Sequence, residues 1–73
     1  MNWAACPDVE SIPGKASGAW VVKDTRVPAD AVVDNARDGY SAEDIATKIF
    51  PSVPVDRIRR VLSFARLHEN SPA

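Results

Sequence analysis

From residue 28 onwards, apolar side chains recur every three or four positions, which is the spacing that places them on one face of a helix. The first such segment follows Pro28, which suits a first helical turn, and stops at Gly39. The second covers residues 41–50 and the third covers 54–68, and a short turn that contains Pro51 separates them. The pattern therefore predicts a three-helix unit over residues 28–68.

The N-terminal third follows a different pattern. Residues 1–18 contain prolines and glycines without any sustained period, which predicts an extended segment with one short extended piece around Val9–Ile12. Residues 19–27 place β-branched and aromatic side chains on both sides of Lys23-Asp24, which is typical of a β-hairpin. We therefore expect one domain over residues 1–73, mainly α, with a short N-terminal β-hairpin and a helix-turn-helix-like unit.

Length and cysteine content limit how such a domain is stabilised. A chain of 73 residues forms a core worth only about 3–5 kcal/mol, and small domains commonly add disulfides, a metal or a second subunit. Cys6 is the only cysteine and His68 the only histidine, so neither a disulfide within the chain nor a zinc cluster is available. The remaining route is association, and we expect a homodimer.

No signal peptide and no apolar run approaching a membrane span of about 20 residues is evident in the sequence. We therefore expect a cytoplasmic protein that does not bind a membrane, which suits a free thiol.

Charge is distributed unevenly along the chain, although the net charge is only −1. Residues 1–56 carry five cations against nine carboxylates, a balance of −4, whereas residues 57–73 carry four arginines against Glu69, a balance of +3. A cationic patch on a single element is a better sign of nucleic-acid binding than the total charge. The asymmetry directs attention to the third predicted helix.

Helix-turn-helix domains place the later helix of the pair in the DNA major groove. Arginine suits this position, because its planar fork binds a phosphate or a guanine edge through two hydrogen bonds. The candidate DNA-binding residues on the third helix are Arg57, Arg59, Arg60, Ser63 and Arg66. Helical spacing predicts that Arg59, Ser63 and Arg66 line one exposed stripe opposite the core residues. The alternative is a three-helix bundle whose solvated arginines simply pair with nearby acidic residues.

Two apolar residues of the third helix, Phe64 and Leu67, lie off its core stripe, and together with Trp3 and Trp20 they form the predicted contact surface for a second subunit or another protein. In the alternative interpretation, the N-terminal segment folds over the two helix residues through Trp3 or Trp20. The sequence leaves both possibilities open.

Catalysis finds little support in the residue inventory. The carboxylates are spread over helix exteriors and caps, and no metal-ligand spacing or glycine-rich phosphate loop is present. Cys6 has no neighbouring base in the sequence, and His68 suits the dipole at a helix C-terminus. We expect a binding protein without enzymatic activity and without a cofactor.

Three runs resemble a small bacterial family: Lys-Asp-Thr-Arg-Val-Pro at 23–28, Asp-Gly-Tyr-Ser-Ala-Glu-Asp-Ile at 38–45 and Val-Asp-Arg-Ile-Arg-Arg-Val-Leu at 55–62. The resemblance covers about residues 9–67. The domain of this family has no assigned function, and many of its members are treated as VapB-type antitoxins, encoded beside a toxin with a PIN-like ribonuclease fold.

The resemblance implies a dimer that binds operator DNA, represses its own operon and neutralises a cognate toxin. Thr25, Arg26 and Pro28 match the family motif; for Arg26 it suggests bonding to carbonyls or a carboxylate, at least as readily as a DNA contact. The chain departs from the family at Asp24, where glycine is usual. Its tail, 69–73, is also far shorter than the toxin-wrapping segment of VapB-type antitoxins. A module that dimerises and masks a partner without binding DNA is the alternative.

Overall fold

Three helices and a two-stranded antiparallel sheet make up the computed structural model, which describes residues 2–69, so Met1 and most of the short tail lie outside the described residues. The predicted class, mainly α with a short N-terminal hairpin, is confirmed. The main elements are β1 (Val9–Glu10), β2 (Val21–Val22), α1 (Ala29–Arg37), α2 (Ala42–Asp44, continued by a π-helical turn over Ile45–Ile49) and α3 (Val55–Glu69). Single 3-10 turns lie at Trp3–Ala5 and Ala16–Gly18.

The partner of β2 differs from the predicted one. β2 pairs with β1, in the register Val9 opposite Val22, so the short extended piece predicted near residue 9 supplies the second strand. The segment after the 23–24 turn does return alongside β2, but it contributes only an isolated bridge between Val21 and Pro28. A ladder cannot continue through Pro28 because proline has no N–H to donate.

Backbone geometry explains the turn that follows β2. Asp24 adopts a φ of 65°, the left-handed conformation that glycine adopts most easily. The hydroxyl of Thr25 donates to the carbonyl of Val22 at 2.7 Å and accepts the N–H of Val27 at 3.1 Å. Thr25 therefore fixes the turn through two hydrogen bonds.

This geometry predicts a ranking of variants at position 24. Asp24→Ala should lower the free energy of unfolding by about 1 kcal/mol relative to Asp24→Gly, because a Cβ without a polar group is disfavoured at positive φ. Urea unfolding of the two variants checks this ranking. Equal stabilities would show that the turn relaxes to negative φ.

Helix α2 begins as its sequence predicts and ends irregularly. The hydroxyl of Ser41 accepts the N–H of Asp44 at 3.1 Å, which satisfies one free donor of the first turn. At the other end the N–H of Phe50 donates to the carbonyl of Ile45, five residues earlier, at 2.7 Å. This widened turn closes the helix just before Pro51.

Side chains from all three helices and from the N-terminal segment build the core. Ile45 of α2 and Ile58 and Val61 of α3 are completely buried, together with Val32 of α1. Cys6 is also buried, and this burial raises the pKa of its thiol. The packing fixes α3 by one face, which determines where its polar side chains lie.

Candidate nucleic-acid and partner interface

The buried stripe of α3 turns a polar stripe outwards. Ile58 and Ala65 face the core, so residues one position later on the helix point away from it. Arg59, Ser63 and Arg66 are all exposed, at spacings of four and three residues. We call these three residues the outer stripe of α3.

The first arginine of the outer stripe is already paired. Arg59 binds the carboxylate of Glu43 on α2 and lies 3.4 Å from a carboxylate oxygen of Asp56. The hydrogen bond between the side chains of Arg59 and Glu43 lowers the pKa of Glu43 and raises the pKa of Arg59. The side chains of Arg59, Glu43 and Asp56 are all exposed, so both ion pairs lie at the surface, where solvent ions can replace either partner.

The last arginine of the outer stripe has a different environment. Among the side chains that the structure describes, Arg66 is the one arginine of α3 without a carboxylate partner. It therefore presents its full charge at the surface.

Arg60 connects α3 to the N-terminal segment. Its Nε donates to both carboxylate oxygens of Asp8, at 3.0 and 3.1 Å, across 52 residues of sequence. The carboxylate of Asp8 is only 14% exposed. The alternative set out above, in which arginines pair with nearby acids, therefore describes Arg60 better than a DNA contact does.

Arg57 has a structural position and not the predicted DNA-facing one. Its Nη1 donates to the carbonyl of Lys23 at 2.8 Å and lies 3.5 Å from the carboxylate of Asp24. The Nε of Arg57 is buried without a hydrogen-bond partner. The first turn of α3 is thus tied to the turn after β2, and Arg57 is turned away from the outer stripe.

Arg26, the arginine of the family motif, has the opposite environment to that of Arg57. Arg26 is exposed, and within residues 2–69 it makes no hydrogen bond or ion pair. The carbonyl and carboxylate contacts expected of Arg26 are made by Arg57 instead. Pro28, the last residue of the motif, precedes the first turn of α1 with a φ of −60°.

The prediction that Trp3 lies on a contact surface is wrong for the folded chain. Trp3 is 3% exposed, and its indole N–H donates to the carboxylate of Asp30 at 2.9 Å. Its ring stacks on Phe64 with 5.7 Å between centroids, and His68 stacks on Phe64 with 4.0 Å between centroids. The N-terminal segment therefore covers Phe64, as the alternative interpretation proposed.

The other two residues of the predicted contact surface remain accessible. Leu67 is 75% exposed and Trp20 is 40% exposed. Leu67 is thus the most exposed large apolar side chain of α3 and stands beside the outer stripe.

An open groove between α1 and α3 was not anticipated from the sequence. The empty space in and just above the groove, including the part open to solvent, is about 470 Å³. Arg37 and Arg66 belong to its lining, one from each helix, and the apolar lining residues are Val33, Ala36, Leu62 and Ala65. The sequence signal for this groove was the alanine at two interhelical positions, Ala36 and Ala65, because small side chains leave space between packed helices. We call this feature the α1–α3 groove.

The sequence of the chain also matches a known protein family. Residues 9–65 match the family described as "Protein of unknown function (DUF433)". The chain belongs to the DUF433 family. The predicted resemblance to a family without an assigned function is confirmed at this level, and the match spans the sheet, the turn and most of the three helices.

A solved DUF433 member supports the same fold. The crystal structure of a DUF433 protein from Anabaena variabilis ATCC 29413 superposes with a TM-score of 0.66 at 14% identity. The alignment covers 85% of this chain and 60% of that one, so this chain spans less than two thirds of that protein. No curated protein matches the chain.

A metal-binding cluster and a membrane-spanning helix are both absent from the described part of this DUF433 chain. It contains no group of three histidine, cysteine, aspartate or glutamate side chains that could hold a metal ion. None of its helices combines the length and the apolar character needed to cross a bilayer.

Proposed function

We propose that this DUF433 domain is an antitoxin-like component of a type II toxin–antitoxin system: a cytoplasmic homodimer without enzymatic activity that binds its own operator DNA and a partner protein. The observation that carries the DNA part is the outer stripe, Arg59, Ser63 and Arg66, on the solvent side of the last helix of a three-helix unit. The family resemblance suggests a PIN-like ribonuclease toxin as the partner.

The paired state of Arg59 is compatible with this role. Its carboxylate partners, Glu43 and Asp56, are exposed and contribute little to stability as surface ion pairs. A DNA phosphate brought close to the stripe can replace them at Arg59, while Arg66 contributes an arginine without such competition. The neighbouring acidic residues also lower non-specific affinity, so a single domain should bind weakly.

Dimerisation compensates for weak binding by one domain. A two-fold dimer presents two α3 helices to two half-sites about one DNA turn apart, which multiplies two modest affinities. Association would also add to the limited stability of a small core.

A second candidate function is a module that dimerises and masks a partner protein without binding DNA. The exposure of Leu67, at 75%, favours it, because a large apolar side chain standing clear of the surface suits a protein interface. It predicts no DNA binding at any salt concentration, and loss of the partner complex in Leu67→Glu.

Fluorescence anisotropy with a labelled duplex from the promoter region of its own gene tests the leading proposal. Replacing both Arg59 and Arg66 by alanine should weaken binding by about tenfold or more, since each bidentate arginine contact contributes about 1–3 kcal/mol. The affinity of the wild type should fall steeply as salt increases. Lys23→Ala, an exposed cation on the turn after β2, is the matched control. A double variant that binds as tightly as the wild type would exclude the outer stripe as the DNA contact.

Glu43→Gln should have the opposite effect and strengthen DNA binding. Without this carboxylate Arg59 loses its main competitor for phosphate, so the affinity for DNA should rise by roughly threefold or more, and the salt dependence should steepen. The same anisotropy assay measures it, with Asp34→Asn on α1 as a control that also removes one negative charge. If both variants raise the affinity equally, the effect is one of total charge and Arg59 has no specific role.

A further inference from the structure

We infer that the α1–α3 groove is a docking site for an acidic amphipathic helix of a partner protein. The inference deepens the partner-binding part of the proposed function and does not depend on the DNA part. It goes beyond naming a partner by stating which surface binds and what chemistry binds there.

The apolar lining of the groove provides the first argument. Val33 and Ala65 are buried, and Ala36 and Leu62 are half-buried, so the surface between the two helices is apolar but reachable. Partner helices bind such grooves by inserting side chains spaced three or four residues apart. Alanine on both helices is what leaves room for those side chains.

Charge provides the second argument. Arg37 of α1 and Arg66 of α3 both line the groove, and among the described residues they are its charged lining residues. Arg37 also lies 4.0 Å from a carboxylate oxygen of Asp34, in an exposed ion pair that a ligand carboxylate can replace. A ligand with apolar residues flanked by glutamate or aspartate matches this arrangement, because each guanidinium can pair with a carboxylate beside the apolar contact. A basic ligand would meet two like charges.

The groove also restricts the backbone conformation of the ligand. The groove lies between helices, whose own backbone groups bond internally, so it offers no strand edge to an extended peptide. Bound there, an extended segment would leave its N–H and C=O groups unpaired, whereas a helix satisfies its own. A helical ligand therefore fits best.

A second copy of this chain is a poorer occupant. In a two-fold contact through the groove, the same patch meets itself, which places the arginines of both copies in one interface. Like charges at such a contact oppose association. The groove is thus suited to a different, acidic protein.

Three synthetic helical peptides test the inference by ¹H–¹⁵N NMR titration of the wild-type domain. The first carries leucines on one face flanked by glutamates, the second has lysine in place of each glutamate, and the third has serine in place of each leucine. The first should shift the backbone resonances of Ala36, Leu62 and Ala65, and bind at least about tenfold more tightly than the other two. Equal binding of all three peptides, or shifts elsewhere on the domain, would overturn the inference.

A charge-reversal variant sharpens the test. Arg37→Glu combined with Arg66→Glu should transfer the preference from the glutamate peptide to the lysine peptide, while Lys48→Glu on α2 leaves it unchanged. Both reversed positions are exposed, and circular dichroism checks that the variant folds. An unchanged preference, or self-association of the wild type through the groove, would contradict the proposed occupant.

The same samples separate this inference from the DNA proposal. Arg59→Ala should weaken DNA binding and leave peptide binding intact. DNA binding without peptide binding would overturn only the groove assignment. Peptide binding without DNA binding would overturn only the operator part of the proposed function.

Discussion

Trp3→Ala should lower the free energy of unfolding by about 3–5 kcal/mol, the usual cost of removing a large buried aromatic side chain. Trp3 is 3% exposed, stacks on Phe64 and bonds to Asp30, so the variant loses packing and leaves a cavity under the N-terminal segment. In a domain of 73 residues this is comparable to the whole stability. Thermal and urea unfolding followed by circular dichroism should show a largely unfolded chain.

Trp20→Ala is the matched control, since it removes the same side chain from a position that is 40% exposed. It should cost much less than the Trp3 variant. Trp3→Phe should fold, because it keeps an aromatic ring in the site while losing the bond to Asp30. Equal effects of Trp3→Ala and Trp20→Ala would mean that the N-terminal segment is not part of the folded core.

Arg57→Ala should lower the free energy of unfolding by about 1–3 kcal/mol, the range for hydrogen bonds made by charged groups. The variant loses the bond to the carbonyl of Lys23 and the ion pair with Asp24, and it also loses a side chain that is only 23% exposed. Urea unfolding measures the change.

Arg26→Ala is the control for Arg57, and its stability should stay within about 0.5 kcal/mol of the wild type, as is usual for exposed side chains. The family motif had suggested a structural role for Arg26, and the charge pattern of the third helix had suggested a DNA contact for Arg57. A larger loss of stability in Arg26→Ala than in Arg57→Ala would restore that earlier assignment.

The two arginines illustrate what sequence periodicity can and cannot predict. Helical spacing correctly predicted that Arg59, Ser63 and Arg66 share an exposed face of α3, because that follows from one helix alone. The partner of Arg60 is 52 residues away in sequence and that of Arg57 is 34 residues away. Such contacts depend on how the N-terminal segment crosses α3, which no local pattern records.

The prediction of strand pairing was limited in the same way. The tight turn near Asp24 was a local feature and is present, with the positive φ that the family's glycine at this position implied. The pairing of β2 with Val9–Glu10 is a longer-range contact between two very short strands, and two-residue strands carry too few positions for alternation to reveal a partner.

The four sides of α3 thus have different surroundings. One side faces the core through Ile58 and Val61, and a second is covered by the N-terminal segment at Phe64. A third side borders the α1–α3 groove, and the fourth carries the outer stripe. Arg66 is shared by the last two, so occupation of the groove should influence DNA binding mainly through this residue.

The most direct test of the proposed function is an NMR titration of the ¹⁵N-labelled domain with promoter duplex, read at the outer stripe and at the two tryptophan indoles. We predict that backbone resonances of Arg59, Ser63 and Arg66 shift together, while the indole N–H of Trp3 remains bonded to Asp30 and unshifted. If the outer stripe stays unshifted at low salt while the DNA is in excess, the domain does not use α3 to bind DNA.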